Sequence, residues 1–246
     1  MQNRHLKSRG LMLALAAGLL TIPALALATP SFYNVTFTSL NDSGVLGTAS
    51  LKLDNNLLTV HIHATGLMPN EVHPQHIHGP FDSVGNPTQA VTPTLAAVDA
   101  NNDGVIELGE GQMTYGPILV PLSSPPGGAL GDFPTAPSGT INFTEIYDLT
   151  DSSIYAAGFD ESDLFPLTFR EIVIHGLDVP FALTDGGVDY VAGQYDPVLP
   201  VASGVIQAGR LAVPEPSSIF DMLAGLGAML ALVGFGRRRM RHVKTC

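Results

Sequence analysis

Six short runs constrain this chain more than any other feature: SFYNVTFTSL (31–40), GTASLKL (47–53), LLTVHIHATGL (57–67), GTINFTEIYDL (139–149), LTFREIVIHGL (167–177) and SGVIQAGRLAV (203–213). They are rich in β-branched and apolar residues, mostly alternating with polar ones, the spacing that turns one face of a strand toward a core. Turn clusters such as NDSG, DNN, SSPPGG and TDGG separate them, and long helical patterns are missing. Many short strands with Gly/Pro-rich connections predict an all-β domain, a β-sandwich or barrel. Two stretches interrupt the pattern, an insertion over residues 79–122 and a Pro/Gly-rich loop over 123–138.

Both ends read as targeting segments. Arg4, Lys7 and Arg9 precede the apolar run LMLALAAGLL, and Ala26-Leu27-Ala28 is a small-x-small site, so residues 1–28 read as an export signal cut after Ala28. An uncleaved anchor is the alternative, which Pro23 and the short apolar core disfavour. At the other end, residues 218–235 are apolar apart from Asp221. As a helix they would measure about 27 Å, enough to span a bilayer core. Arg237, Arg238, Arg239 and Arg241 follow, which keeps the tail cytoplasmic and the body outside.

The order Pro214-Glu215-Pro216, apolar helix, arginine cluster resembles the PEP-CTERM sorting signal of Gram-negative bacteria, here over residues 213–246. The resemblance implies an exosortase-type processing enzyme as partner, with cleavage near Pro214, Glu215 and Pro216. It also implies transient inner-membrane anchoring with the body in the periplasm. The product would then reach the cell surface or an exopolysaccharide matrix. A plain C-terminal anchor predicts the same topology.

Without the two ends, residues 29–213 keep Lys52, Arg170 and Arg210 against 20 acidic residues, a formal charge of 3 − 20 = −17. Such a surface repels phosphate backbones and attracts cations, which argues against a nucleic-acid partner. The single cysteine, Cys246, lies in the tail, so the body contains no disulfide. Its roughly 185 residues are enough to bury a core, and suit one domain.

DANNDGVIELGE, Asp99 to Glu110, satisfies the twelve-residue calcium-loop pattern position by position. Asp99, Asn101 and Asp103 supply side-chain oxygens at positions 1, 3 and 5, and Gly104 takes the sharp turn. Val105 offers its backbone carbonyl at position 7, Glu107 acts directly or through water at 9, and Glu110 closes the site at 12. The alternative is an acidic turn without an ion. TPTLAAV before the loop could form a helical turn or two. GQMTYGPILVPL after it, with Gly111, Gly116 and Pro117, is expected not to continue as a helix. The loop therefore reads as a structural staple in an insertion rather than as a paired helix-loop-helix sensor.

Of eight histidines, His73, His76 and His78 fall in HPQHIHG, and His61 and His63 lie upstream. Residues i and i+2 of a strand share a face, so His76 and His78 would project together, as would His61 and His63. Neutral imidazole is a ligand for copper and zinc alike. A solvated or hydrogen-bonded pair is the alternative, and His73 and the distant His175 weigh against it.

The run LTVHIHATGLMPNEVHPQHIHGP resembles the chordin-type (CHRD) domain and the corresponding region of copper/zinc superoxide dismutases. REIVIHG (170–176) is similar to a later strand of those enzymes, and PVASGVIQ (200–207) to their final strand. The resemblance implies a Greek-key β-sandwich in which His76, His78 and His175, with His73 as a further candidate, hold copper or zinc. The chain departs from the dismutase pattern in having no histidine between Gly79 and Ile174, no arginine near Pro200 and no disulfide within the body. The expectation is therefore an exported calcium-binding envelope or matrix domain that is not an enzyme. The alternative is a copper-dependent dismutase-like enzyme. No nucleophile elbow, phosphate loop or nucleotide fingerprint competes.

Overall fold

The alternating runs fold as strands. The computed structural model describes residues 29–179, 183–185 and 188–209. In chain order the elements are β1 (Ser31–Thr36), β2 (Thr38–Ser39), β3 (Leu46–Asp54), β4 (Leu57–Thr65), β5 (Gln75–His78), α1 (Leu95–Val98), α2 (Leu108–Tyr115) and β6 (Ile118–Pro121). After them come β7 (Thr140–Asp148), α3 (Glu161–Leu164), β8 (Glu171–Asp178), β9 (Leu183–Asp185), β10 (Val188–Tyr190), β11 (Tyr195–Val205) and β12 (Gln207–Ala208). The strands form two antiparallel five-stranded sheets, in the orders β12-β1-β3-β4-β7 and β2-β11-β8-β5-β6, with β9 and β10 paired separately.

Period-2 alternation builds the core between the sheets. In β4, Leu58, Val60, Ile62 and Ala64 point inward while His61, His63 and Thr65 point to solvent. Ile141, Phe143 and Tyr147 of β7 join them from the same sheet, and Ile77, Val120, Ile172, Ile174 and Ala202 face them from the other. Each valine, leucine, isoleucine or phenylalanine among them, removed from water, stabilises the fold by about 1.5–3 kcal/mol.

β8 departs from the half-buried pattern, because Glu171 to Leu177 are all buried. One of its faces meets the core through Ile172 and Ile174. Its other face carries Glu171, Val173 and His175, and it pairs with β5 so that His76 lies opposite Val173 and His78 opposite Glu171. Thr92 and Tyr115 of the insertion and Phe133 of the Pro/Gly-rich loop cover that side. The insertion then returns to the sheet as β6, beside β5.

The segment after the acidic loop corrects the sequence expectation. GQMTY is helical, the last five residues of the eight-residue α2, so the loop lies between two helices. Gly111 makes room for the Tyr115 side chain one turn on in the same helix, since a Cβ there would overlap the Tyr115 ring. The helix stops at Gly116, whose φ of +79° leaves the helical region, with Pro117 behind it.

Among the described residues no helix is long and apolar enough to cross a membrane. The export segment 1–28 with Ala28, the sorting region 213–246 with Pro214, Glu215, Pro216 and the 218–235 span, and Arg210 lie outside the described residues.

Candidate metal centre

β5 and β8 bring His76, His78 and His175 together on the outer face of the second sheet, all buried. One ligand nitrogen from each lies within 4.8 Å of the others. His78 donates its Nδ1–H to the Gly116 carbonyl at 2.9 Å, and His175 donates its own to the Val198 carbonyl at 2.6 Å. A carbonyl can only accept, so both rings carry the proton on Nδ1 and a bare lone pair on Nε2. Those two Nε2 atoms and Nδ1 of His76 are buried without any hydrogen-bond partner.

The electrostatics keep the three rings neutral. Burial, followed by the neighbouring His175, lowers His78 from the ordinary 6.5 to about 3. Burial lowers His175 to about 4. His76 is held well below the ordinary value by burial, then by His175 and His78. Buried acceptors with nothing to accept from are costly, at about 1–3 kcal/mol each. A metal ion of borderline softness satisfies three imidazole lone pairs at once. The buried His76, His78 and His175 group can hold a metal ion.

The surroundings are aromatic and acidic. Tyr115 meets the His78 ring edge-on at a centroid distance of 4.7 Å, and Phe133 meets His76 at 5.1 Å. Glu171, beside His78, accepts a 2.7 Å hydrogen bond from the Thr92 hydroxyl on Oε1, while Oε2 has no partner. Burial raises its carboxyl above the usual range.

The other histidines do not join the cluster. His73 is buried, but its Nδ1 faces the His175 carbonyl at 2.9 Å and its Nε2 the Met68 carbonyl at 3.0 Å, leaving neither nitrogen for an ion. His61 and His63 sit on the solvent face of the first sheet, against Thr144 and Asn142 at 2.7 Å each.

The acidic loop is partly organised by its own backbone. Asp99 accepts the N–H groups of Asp103 and Gly104, Asn101 also accepts that of Asp103, and Asp103 accepts that of Val105. Glu110 accepts the N–H of Ala100 at 2.7 Å. Glu107 differs: it is 0 % exposed and neither carboxylate oxygen has a hydrogen-bond donor. Burial pushes its carboxyl up to about 9, and the adjacent Glu110 and Asp103 push the same way. Among the described residues only the histidines close to within 4.8 Å as a set of three His, Cys, Asp or Glu side chains.

One residue with no local signal in the sequence pins this loop. Asn41 donates from Nδ2 to the carbonyls of Ile106 and Pro200 at 2.9 and 3.0 Å, and accepts the Ile106 N–H at 2.7 Å. Its φ of +53° lies in the left-handed region that asparagine tolerates better than most residues. Arg170 is likewise structural. It is fully buried, directs its guanidinium at the carbonyls of Leu164, Pro80, Thr88 and Asp163, and lies over the Phe81 ring.

No family model and no curated protein matches the chain, so its function rests on the chemistry of these residues.

Proposed function

We propose that this chain is an exported, exosortase-sorted envelope or matrix domain that holds copper or zinc at His76, His78 and His175 and calcium at Asp99–Glu110. The observation that carries the reading is the convergence of three buried imidazoles, each with a partnerless nitrogen and each placing a ring nitrogen within 4.8 Å of those of the other two. The two sites sort metals by donor type, since imidazole suits copper and zinc and a cage of carboxylates and carbonyls suits calcium. We read the fold as a chordin-type, dismutase-like Greek-key sandwich. The pairing of the H-x-H strand β5 with the His175 strand β8 supports that reading. The export and sorting steps rest on residues 1–28 and 213–246.

The test is metal analysis of the purified full chain after loading with copper or zinc. One equivalent is expected, lost in a His76→Ala/His78→Ala variant and kept in a His61→Ala/His63→Ala variant. Failure to take up either metal would overturn the reading.

A second reading, a copper-dependent dismutase-like enzyme, is favoured by the all-imidazole donor set with His76 still 8 % exposed at its edge. Copper in such a set supplies one-electron chemistry, in which one superoxide is oxidised to dioxygen and a second, with two protons, is reduced to hydrogen peroxide. Against it, Arg170 is the only arginine among the described residues, and backbone carbonyls occupy it. Superoxide consumption by the copper-loaded chain, compared with the His76→Ala/His78→Ala variant, separates the readings.

A further inference from the structure

We propose that calcium in the Asp99–Glu110 loop controls the three-histidine centre through α2, by fixing the hydrogen bond that orients His78. The inference deepens the two-metal reading above and rests on it.

The first support is Glu107. It is fully buried with no donor on either carboxyl oxygen, and beside the acidic Asp103 and Glu110 it can stay buried only by holding a proton or by meeting a cation. A divalent cation with oxygen preference replaces the missing donors and neutralises the mutual repulsion. The carboxylates of Asp99, Asp103 and Glu110 accept backbone N–H groups, so binding an ion redirects them.

The second support is that the same residues start α2. Glu107 is the N-cap of the helix, and Glu110 in the first turn accepts the Glu107 N–H. Drawing these carboxylates onto an ion therefore acts directly on the helix start.

The third support is what stands at the other end, about 12 Å away at the helical rise. α2 ends in Tyr115, whose ring packs on His78, and in Gly116, whose carbonyl accepts the His78 Nδ1–H. That hydrogen bond places the proton on Nδ1 and leaves Nε2 as the ligand atom. Outer hydrogen bonds of this kind change metal affinity by about 10–100-fold.

The helix between them is weak by composition. Gly109 and Gly111 each cost about 1 kcal/mol relative to alanine, and eight residues are too few to hold a helix alone. Its order depends on what is fixed at its two ends. By linkage, copper or zinc on the histidines tightens calcium by the same factor that calcium tightens them.

The experiment follows the His78 ring in the full chain labelled with ¹⁵N-histidine and free of transition metal. With millimolar calcium, the His78 Nδ1–H is expected as a slowly exchanging signal. With a calcium chelator it should broaden into exchange with water. Glu107→Gln should lose the calcium response. With its carboxyl raised to about 9, Glu107 is uncharged without an ion, so this variant keeps shape and charge while removing a carboxylate ligand and should fold, and Asp103→Asn gives an independent second variant. Zinc affinity should fall about 10-fold on calcium removal. An unchanged His78 signal alongside calorimetric calcium binding would overturn the coupling, as would the absence of calcium heat. A calcium-dependent His78 signal in a chain that takes up neither copper nor zinc would sustain the coupling and sink the metal-centre reading instead.

Discussion

His78 donates its Nδ1–H to the carbonyl of Gly116, 38 residues away and 2.9 Å distant. That single bond ties β5 to the end of α2, and Gly116 has no room for a side chain. A Cβ there would fall inside the backbone of Gly79 and Pro80, and its φ of +79° disfavours any side chain. Gly116→Ala is expected to cost about 2 kcal/mol or more from backbone strain and overlap. It should also weaken zinc or copper binding about 10-fold by moving the carbonyl. Thermal melting and metal titration of the variant check both effects.

The depressed histidines make the metal-free protein sensitive to acid. Free in an unfolded chain, His78 and His175 take up protons near 6.5, but folded they do so only near 3 and 4. The unfolded state thus binds more protons in that window. Stability present above pH 6.5 is lost as the pH falls through 4 toward 3, at up to about 1.4 kcal/mol per pH unit for each histidine. Melting temperatures of the metal-free chain should fall steeply from pH 6.5 to 4, and His175→Gln should flatten the slope. A melting temperature independent of pH over that range would contradict the buried, neutral cluster.

The readable part of this site is the part governed by strand period. His76 and His78 share a face because they are two apart in a strand, and a single sequence shows that spacing. His175 lies about a hundred residues further on, and only the likeness of REIVIHG to a ligand strand pointed to it. His73 looked like a fourth donor in the same motif, but Pro74 precedes the start of β5 at Gln75, so alternation does not extend to it and its ring turns to backbone carbonyls. α2 was hidden by its glycines, whose poor propensity is overridden by the packing of Tyr115 on His78. β11 was partly hidden because Pro197 and Pro200 interrupt a run whose pairing with β8 shifts register at the same places.

Arg170 is expected to behave as a clamp. It supplies donors to carbonyls at the start of the insertion, Pro80 and Thr88, and in the segment before β8, Asp163 and Leu164. Arg170→Met keeps much of the side-chain volume but leaves these buried carbonyls without their donor, at a cost of about 3 kcal/mol or more. Limited proteolysis should then cut within residues 79–90 or 160–169 before the chain unfolds globally. Wild-type resistance in the variant would show that other contacts hold those segments.

Asn41 gives the most selective test of how the acidic loop is attached. Its side chain makes hydrogen bonds to both the N–H and the carbonyl of Ile106, at the loop's eighth position, and to Pro200 of β11. Ile106 itself packs with Leu40 and Val98 in a small separate cluster, so the polar clamp and this apolar contact act on the same residue. Asn41→Ala removes three hydrogen bonds and places alanine at a left-handed φ, for a loss of about 2–4 kcal/mol. In a domain of this size that corresponds to a fall in melting temperature of about 4–16 °C. Because the lost bonds hold the loop rather than the histidines, calcium affinity should fall by more than zinc affinity measured without calcium. Calorimetric titration of the two ions in the variant decides the matter, and an equal loss for both would mean that Asn41 supports the whole second sheet rather than the loop.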